Sequence, residues 1–78
     1  MKYTIETLAN KINAQFSYEY DGFKLNDYEA VFDDIICFVS GVLQDGEIII
    51  YDIIESLENE ETRNFTGAEL SLLMNLIN

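Results

Sequence analysis

Nearly every side chain able to do chemistry here is a carboxylate. Fifteen Asp and Glu stand against four Lys and Arg, and the chain has no His. Carboxylates alone can move protons or hold hard cations such as Mg²⁺ and Ca²⁺ through oxygen. On a helix, Glu29 and Asp33 would lie one turn apart, as would Glu58 and Glu61. No EF-hand spacing occurs, and a dimetal bundle would use Glu-x-x-His motifs that a His-free chain cannot supply. A carboxylate-pair hydrolase needs a cleft, for which 78 residues leave little room. Cys37 is the only cysteine, with no His to activate it. Set between Ile36 and Phe38, it reads as a small buried apolar residue. The glycines Gly22, Gly41, Gly46 and Gly67 are isolated, so no phosphate-binding loop is present. Asn64-Phe65-Thr66 fits a glycosylation sequon, but it reads more simply as the cap of a final helix. The expectation is therefore a non-enzyme with no cofactor and no metal.

Charge distribution is the distinctive feature. The formal net charge is −11. Between Lys24 and Arg63 there is no basic residue, while eleven acids fall in that interval: Asp27, Glu29, Asp33, Asp34, Asp45, Glu47, Asp52, Glu55, Glu58, Glu60 and Glu61. An ordinary soluble helix would interleave Lys or Arg. Like charges at helical spacing repel, so excess apolar burial or a function must offset them. The balance excludes a basic patch for nucleic acid or for an anionic membrane. Even acidity has a bland reading, since acidic surfaces resist aggregation.

The elements that must position these groups belong to one small domain, residues 1–78. Apolar residues make up 49% of the chain, too many for a disordered acidic tail. A domain of this size buries only about 60% of its unfolded surface. No disulfide is possible within the chain, so self-association would be one way to complete the core. No apolar run is long enough to cross a bilayer. The polar Thr4, Glu6 and Thr7 stand where a signal segment would be apolar, and with the lone thiol they point to a reducing cytoplasm.

Ile5, Leu8, Ile12 and Phe16 predict an amphipathic helix over 4–16. Asp21-Gly22 predicts a hairpin over 17–25, pairing Tyr20 with Phe23, Glu19 with Lys24 and Tyr18 with Leu25. Asn26 with Glu29 reads as a capping box. It would open a long helix bearing Tyr28, Val31, Phe32, Ile35, Ile36, Val39, Val42 and Leu43 on one face and stopping at Gly46. Residues 47–61 are ambiguous. Ile48, Ile49, Ile50 and Tyr51 favour a strand, and Asp45-Gly46 could turn a second hairpin pairing Leu43 with Ile48. Glu47 and Asp52 fall on opposite strand parities, however, which favours an acidic helix with Ile49, Ile50, Ile53, Ile54 and Leu57 on one side. Thr66 and Glu69 cap a last helix with Leu70, Leu73, Met74 and Ile77 as its apolar face. The expected fold is α+β: N-terminal helix, β-hairpin, then two or three helices. An all-α bundle, or a second hairpin around Asp45-Gly46, is the alternative.

From these elements follows a functional expectation. Carboxylates on one helix face stand about 5–6 Å apart. Two such helices could imitate the charge of a nucleic acid backbone, which carries one charge per about 1.7 Å of duplex axis. Glu29, Asp33, Asp34, Asp52, Glu55, Glu58, Glu60 and Glu61 would face a basic partner. Leu70, Leu73, Met74 and Ile77 would complete the core or a homodimer contact. In composition alone the chain is similar to small phage and mobile-element inhibitors such as anti-CRISPR and anti-restriction proteins, and no functional residue transfers from that likeness. The expectation is an inhibitor that blocks a nucleic-acid-binding protein or nuclease complex without binding nucleic acid itself. The alternatives are an immunity or antitoxin-type protein that neutralises a basic toxin, and a structural homo-oligomer.

Overall fold

Two threonines start the two helices, one of them, Thr66, the cap that its spacing to Glu69 predicts. In the computed structural model, which describes residues 3–16, 19–57 and 61–78, Thr4 has extended backbone. Its hydroxyl accepts the Thr7 N–H at 3.1 Å, and the Thr7 hydroxyl accepts the Thr4 N–H at 3.1 Å. Helix α1 (Ile5–Gln15) follows. Thr66 and Glu69 repeat the reciprocal cap and open α2 (Gly67–Ile77).

Between the helices the chain is strand, which overturns the expected layout. The long helix over 26–44 and the acidic helix over 47–61 do not form. In their place are β1 (Lys24–Phe32), β2 (Ile35–Gln44), β3 (Glu47–Ser56) and the short β4 (Thr62–Asn64). They make one antiparallel sheet in the order β1-β2-β3-β4. The domain is a four-stranded meander with a helix before it and a helix after it, and the all-α alternative falls too.

The turns explain the correction. Phe32 pairs with Ile35, leaving Asp33-Asp34 as a two-residue connection with Asp33 at φ 48°. Aspartate is a poor helix former and tolerates left-handed backbone, so this pair ends a strand where a helix would have to run through it. Asp45 at φ 52° and Gly46 at φ 79° turn the next hairpin with Leu43 opposite Ile48, the register of the alternative reading. At Asp21-Gly22 the chain does turn, with the Phe23 N–H donating to the Tyr20 carbonyl at 3.2 Å and Gly22 at φ 86°. The expected strand pair there is absent, because Lys24 and Leu25 pair with Val42 and Gly41. Its Tyr18–Leu25 step lies outside the described residues.

A bulge in β3 resolves the parity conflict, and a second bulge lies in β1. Ser40 pairs with Asp52 but Gly41 pairs with Ile50, so Tyr51 is an extra residue in β3. Ile48 and Ile50 point inward before it; Ile53 and Glu55 point inward after it. Asn26 and Asp27 likewise stand against Ser40 alone, with Asp27 at φ 53°. Asn26 therefore belongs to a bulge and caps no helix. At the same level of β2, a Cβ on Gly41 would sit 2.7 Å from Ile50 Cδ1 and 2.8 Å from the Ile49 carbonyl oxygen, leaving no room for a side chain.

One core lies between the sheet and the helices. Leu8, Ala9 and Ile12 of α1 and Leu73 of α2 pack with Ala30, Cys37, Val39, Leu43, Ile48, Ile50 and Ile53. Both helices thus cover the same face of the sheet. At the far edge of β3, Asn78 accepts from the Ile48 N–H at 3.0 Å and donates to the Ile48 carbonyl at 2.9 Å. That side chain satisfies an edge that β4 is too short to reach.

Candidate interaction surface

The strand pattern sorts the acids into three environments. Glu55 is inside: it is 3% exposed, on the helix-covered face of β3. Its cross-strand neighbours are Cys37 of β2 and Arg63 of β4. The Tyr3 phenol donates to one Glu55 oxygen at 2.5 Å, and Arg63 Nε donates to the other at 3.3 Å. Arg63 also binds Glu69 of α2 at 2.8 Å. A buried carboxylate with both oxygens satisfied fastens the chain before α1, the sheet and α2 to one another. Burial, then hydrogen bonding to Cys37 and Glu55, drives the Tyr3 phenol far above its usual ionisation range. Burial also raises the Cys37 thiol, which is fully enclosed and carries none of the acidity a nucleophile needs. The bond from Arg63, then that from the Thr66 backbone, lowers Glu69 to about 2.

A second set of aspartates serves the backbone. Asp27, Asp33 and Asp45 occupy left-handed conformations at a bulge and two turns. Asp21 accepts from the Asp45 N–H at 2.9 Å and ties two turns together. Aspartate tolerates the left-handed backbone that the bulge and both turns require.

The third set faces outward on the sheet surface that neither helix covers. There Glu29 of β1, Phe38 of β2 and Ile54 of β3 form one cross-strand row, and Ser40 and Asp52 another. Val31 and Ile36 form a further pair, as do Val42 and Ile49. Val31 is 51% exposed, Ile49 39% and Tyr51 54%. None of these apolar side chains belongs to the core cluster. The surface is an apolar stripe along β2 interrupted by Ser40, whose Oγ accepts the Asp27 N–H at 3.2 Å, with Lys24, the bulge residue Asp27 and Glu29 on its β1 flank and Asp52 and Glu47 on its β3 flank. Among the described residues the ion pairs are Arg63–Glu55 and Arg63–Glu69, so these four acids have no cation bound to them.

Of the acids expected to meet a partner, the structure brings Glu29 and Asp52 onto this face. Asp33 and Asp34 sit exposed at the adjoining β1–β2 turn, and Glu61 is exposed just before β4. Glu55 is withdrawn into the core, and Glu58 and Glu60 lie outside the described residues. The helical rows of carboxylates do not exist, because their residues belong to strands and turns. The apolar residues of the face were missed as a group, although the alternation of β2 carried the signal. For α2, Leu73 is fully buried, while Leu70, Met74 and Ile77 pack on the protein's own core. The exposed apolar residues of that helix are Leu72 and Leu76.

No protein family, curated protein or solved structure matches the chain. Its chemistry must therefore be judged from its own groups.

Two of the concavities lined by described residues have polar groups that are already engaged. One of about 490 Å³ runs between α1 and β1, lined by Tyr3, Thr4, Thr7, Lys11, Val31, Phe32 and Asp33. Its threonine hydroxyls are engaged in the helix cap, and Lys11 lies 5.3 Å from the Phe32 ring centre. The other, about 250 Å³, is bounded by Tyr3, Ile5, Glu55 and Arg63, whose polar groups bind one another. Among the described residues, no three Cys, Asp or Glu converge as metal ligands. No helix there is long and apolar enough to cross a membrane.

Proposed function

We propose that this chain is a non-enzymatic cytoplasmic binding protein that engages a basic protein through its uncovered sheet face. The observation that carries the reading is the pairing of an apolar stripe along β2 with four carboxylates on its flanks, none in an ion pair among the described residues. Apolar area supplies affinity, and the acids select a cationic partner and speed its approach. The partner proposed is a nucleic-acid-binding protein or nuclease complex, whose cation-lined surface would be occupied in place of DNA or RNA. The protein then acts as an inhibitor of the phage or mobile-element kind, anti-CRISPR or anti-restriction in type. It competes by charge and apolar contact, with no copy of a regular phosphate row.

The test is capture from a lysate of the source cell, with the wild type and a Glu29→Gln/Asp52→Asn variant, across a salt series and with duplex DNA as competitor. The reading expects a basic protein that DNA displaces and that the variant holds about tenfold more weakly. Capture indifferent to salt, DNA and the variant overturns it. Capture of a single toxic ribonuclease would favour the immunity or antitoxin alternative, which uses the same face.

A further inference from the structure

Resting on that reading, we infer that the partner element seated on the uncovered face is a basic amphipathic helix laid along β2. Three observations converge. The first is what the face lacks. Its backbone groups are spent in the ladders that join β1, β2 and β3, so it offers side chains only. An occupant must satisfy its own backbone, which a single helix does and a single extended segment does not. The sheet already accepts helices on its other side.

The second observation is size. The acids flank β2 from the strands on either side, so the two acidic lines stand about 9–10 Å apart. That matches the roughly 10 Å width of a helix, whose Lys or Arg side chains would reach both lines. From the Val42–Ile49 pair to the Val31–Ile36 pair is about 20 Å of strand, spanned by about 14 helical residues.

The third is charge. The flanks carry Asp27, Glu29, Glu47 and Asp52, with Lys24 the basic residue at one end of β1. A second copy placed face to face would set acids against acids. A helix with an apolar stripe bordered by Lys or Arg on its acid-facing sides meets Asp27, Glu29, Glu47 and Asp52 with their complement, leaving Lys24 at one end of the face as the group it must avoid.

The probe is a synthetic peptide of about 14 residues with Leu at i, i+3, i+4 and i+7 and Lys beside that stripe, tested against an isomer of scrambled order. Amide shifts of the isotope-labelled protein locate binding, and circular dichroism reports peptide helicity. The inference expects the striped peptide to gain helicity and to shift Ile36, Phe38, Val42 and Ile54. It expects the isomer to bind about tenfold more weakly, and Phe38→Asp to weaken the striped peptide about as much. Phe38 lies outside the core, so the variant's own amide spectrum verifies that it is folded. Equal binding of both peptides overturns the helix while leaving a basic partner in place. Shifts at Leu72 and Leu76, or no binding, also overturn it. A concentration-dependent dimer with shifts on the face, and no peptide binding, overturns the helix and the basic partner together.

Discussion

The two faces of one sheet have opposite surroundings in this molecule. Along β2, Ile35, Cys37, Val39 and Leu43 point toward the helices and are buried, while Ile36, Phe38 and Val42 point away and are only half-buried. Both sets are apolar, so hydrophobicity alone does not tell them apart. The carboxylates diverge in the same way. Glu55 on the inner face is held by Tyr3 and Arg63, whereas Glu29 and Asp52 on the outer face have no ion pair among the described residues. The inner face is finished and the outer face is not. A half-covered apolar sheet flanked by unpaired acids is where the proposed partner would sit.

The comparison can be broken most directly at adjacent residues. Ile53 is 1% exposed in the core, and Ile53→Ala should lower unfolding free energy by about 2–5 kcal/mol. Its neighbour Ile54 points outward, and Ile54→Ala should lower it by less than about 1 kcal/mol. Urea titrations of the pair measure the contrast, and equal losses would mean that the outer face is as much a core as the inner one. Next comes Gly41→Ala, whose Cβ meets Ile50 and the β3 backbone; a loss of about 1–3 kcal/mol is expected by the same titration. Tyr3→Phe removes one bond to a buried carboxylate and should lower stability by about 1–2 kcal/mol.

The pH dependence follows from the same network. Glu69 in the folded protein is lowered to about 2, below its unfolded value. Its contribution is therefore present above the usual carboxylate range and lost as pH falls from about 4.5 through about 2. Denaturation midpoints of wild type and Glu69→Gln should converge over that window. Tyr3 and Cys37 are shifted the other way. Their neutral forms are favoured by folding, so stability should fall as pH rises above about 9–10, with a shallower fall in Tyr3→Phe. The smallest effect is expected at Asp33→Asn. Asn tolerates φ 48° as Asp does, so stability should change by less than about 0.5 kcal/mol, while Asp33→Val, which resists left-handed backbone, should lose about 1–2 kcal/mol.

The helices were legible because their signals are local. Apolar residues at helical spacing place α1, and the Thr66–Glu69 capping box with the apolar residues after it places α2, with no reference to the rest of the chain. The strands were obscured by an accident of spacing. Val31, Phe32, Ile35, Ile36, Val39, Val42 and Leu43 satisfy a helical wheel, yet Asp33-Asp34 divides them between two strands. In residues 47–56 the alternation is real but broken at Tyr51, and a pattern that changes parity midway looks like no strand at all. Of the candidate site, the acidity was legible and its geometry was not. Glu55 shares its residue type with Glu29, and only the bulge sends it inward.

By itself the sequence determined the two terminal helices, a single cysteine and a charge of −11, and it offered the Asp45-Gly46 turn only as an alternative, because each of these depends on residue type and near neighbours. Only the tertiary structure decided which carboxylates are buried, which hold turns and which flank an open face. Those outcomes depend on strand register and on the side of the sheet the helices cover. Register is set by pairing between segments distant in the chain, and a single unpaired residue reverses the direction of every side chain beyond it.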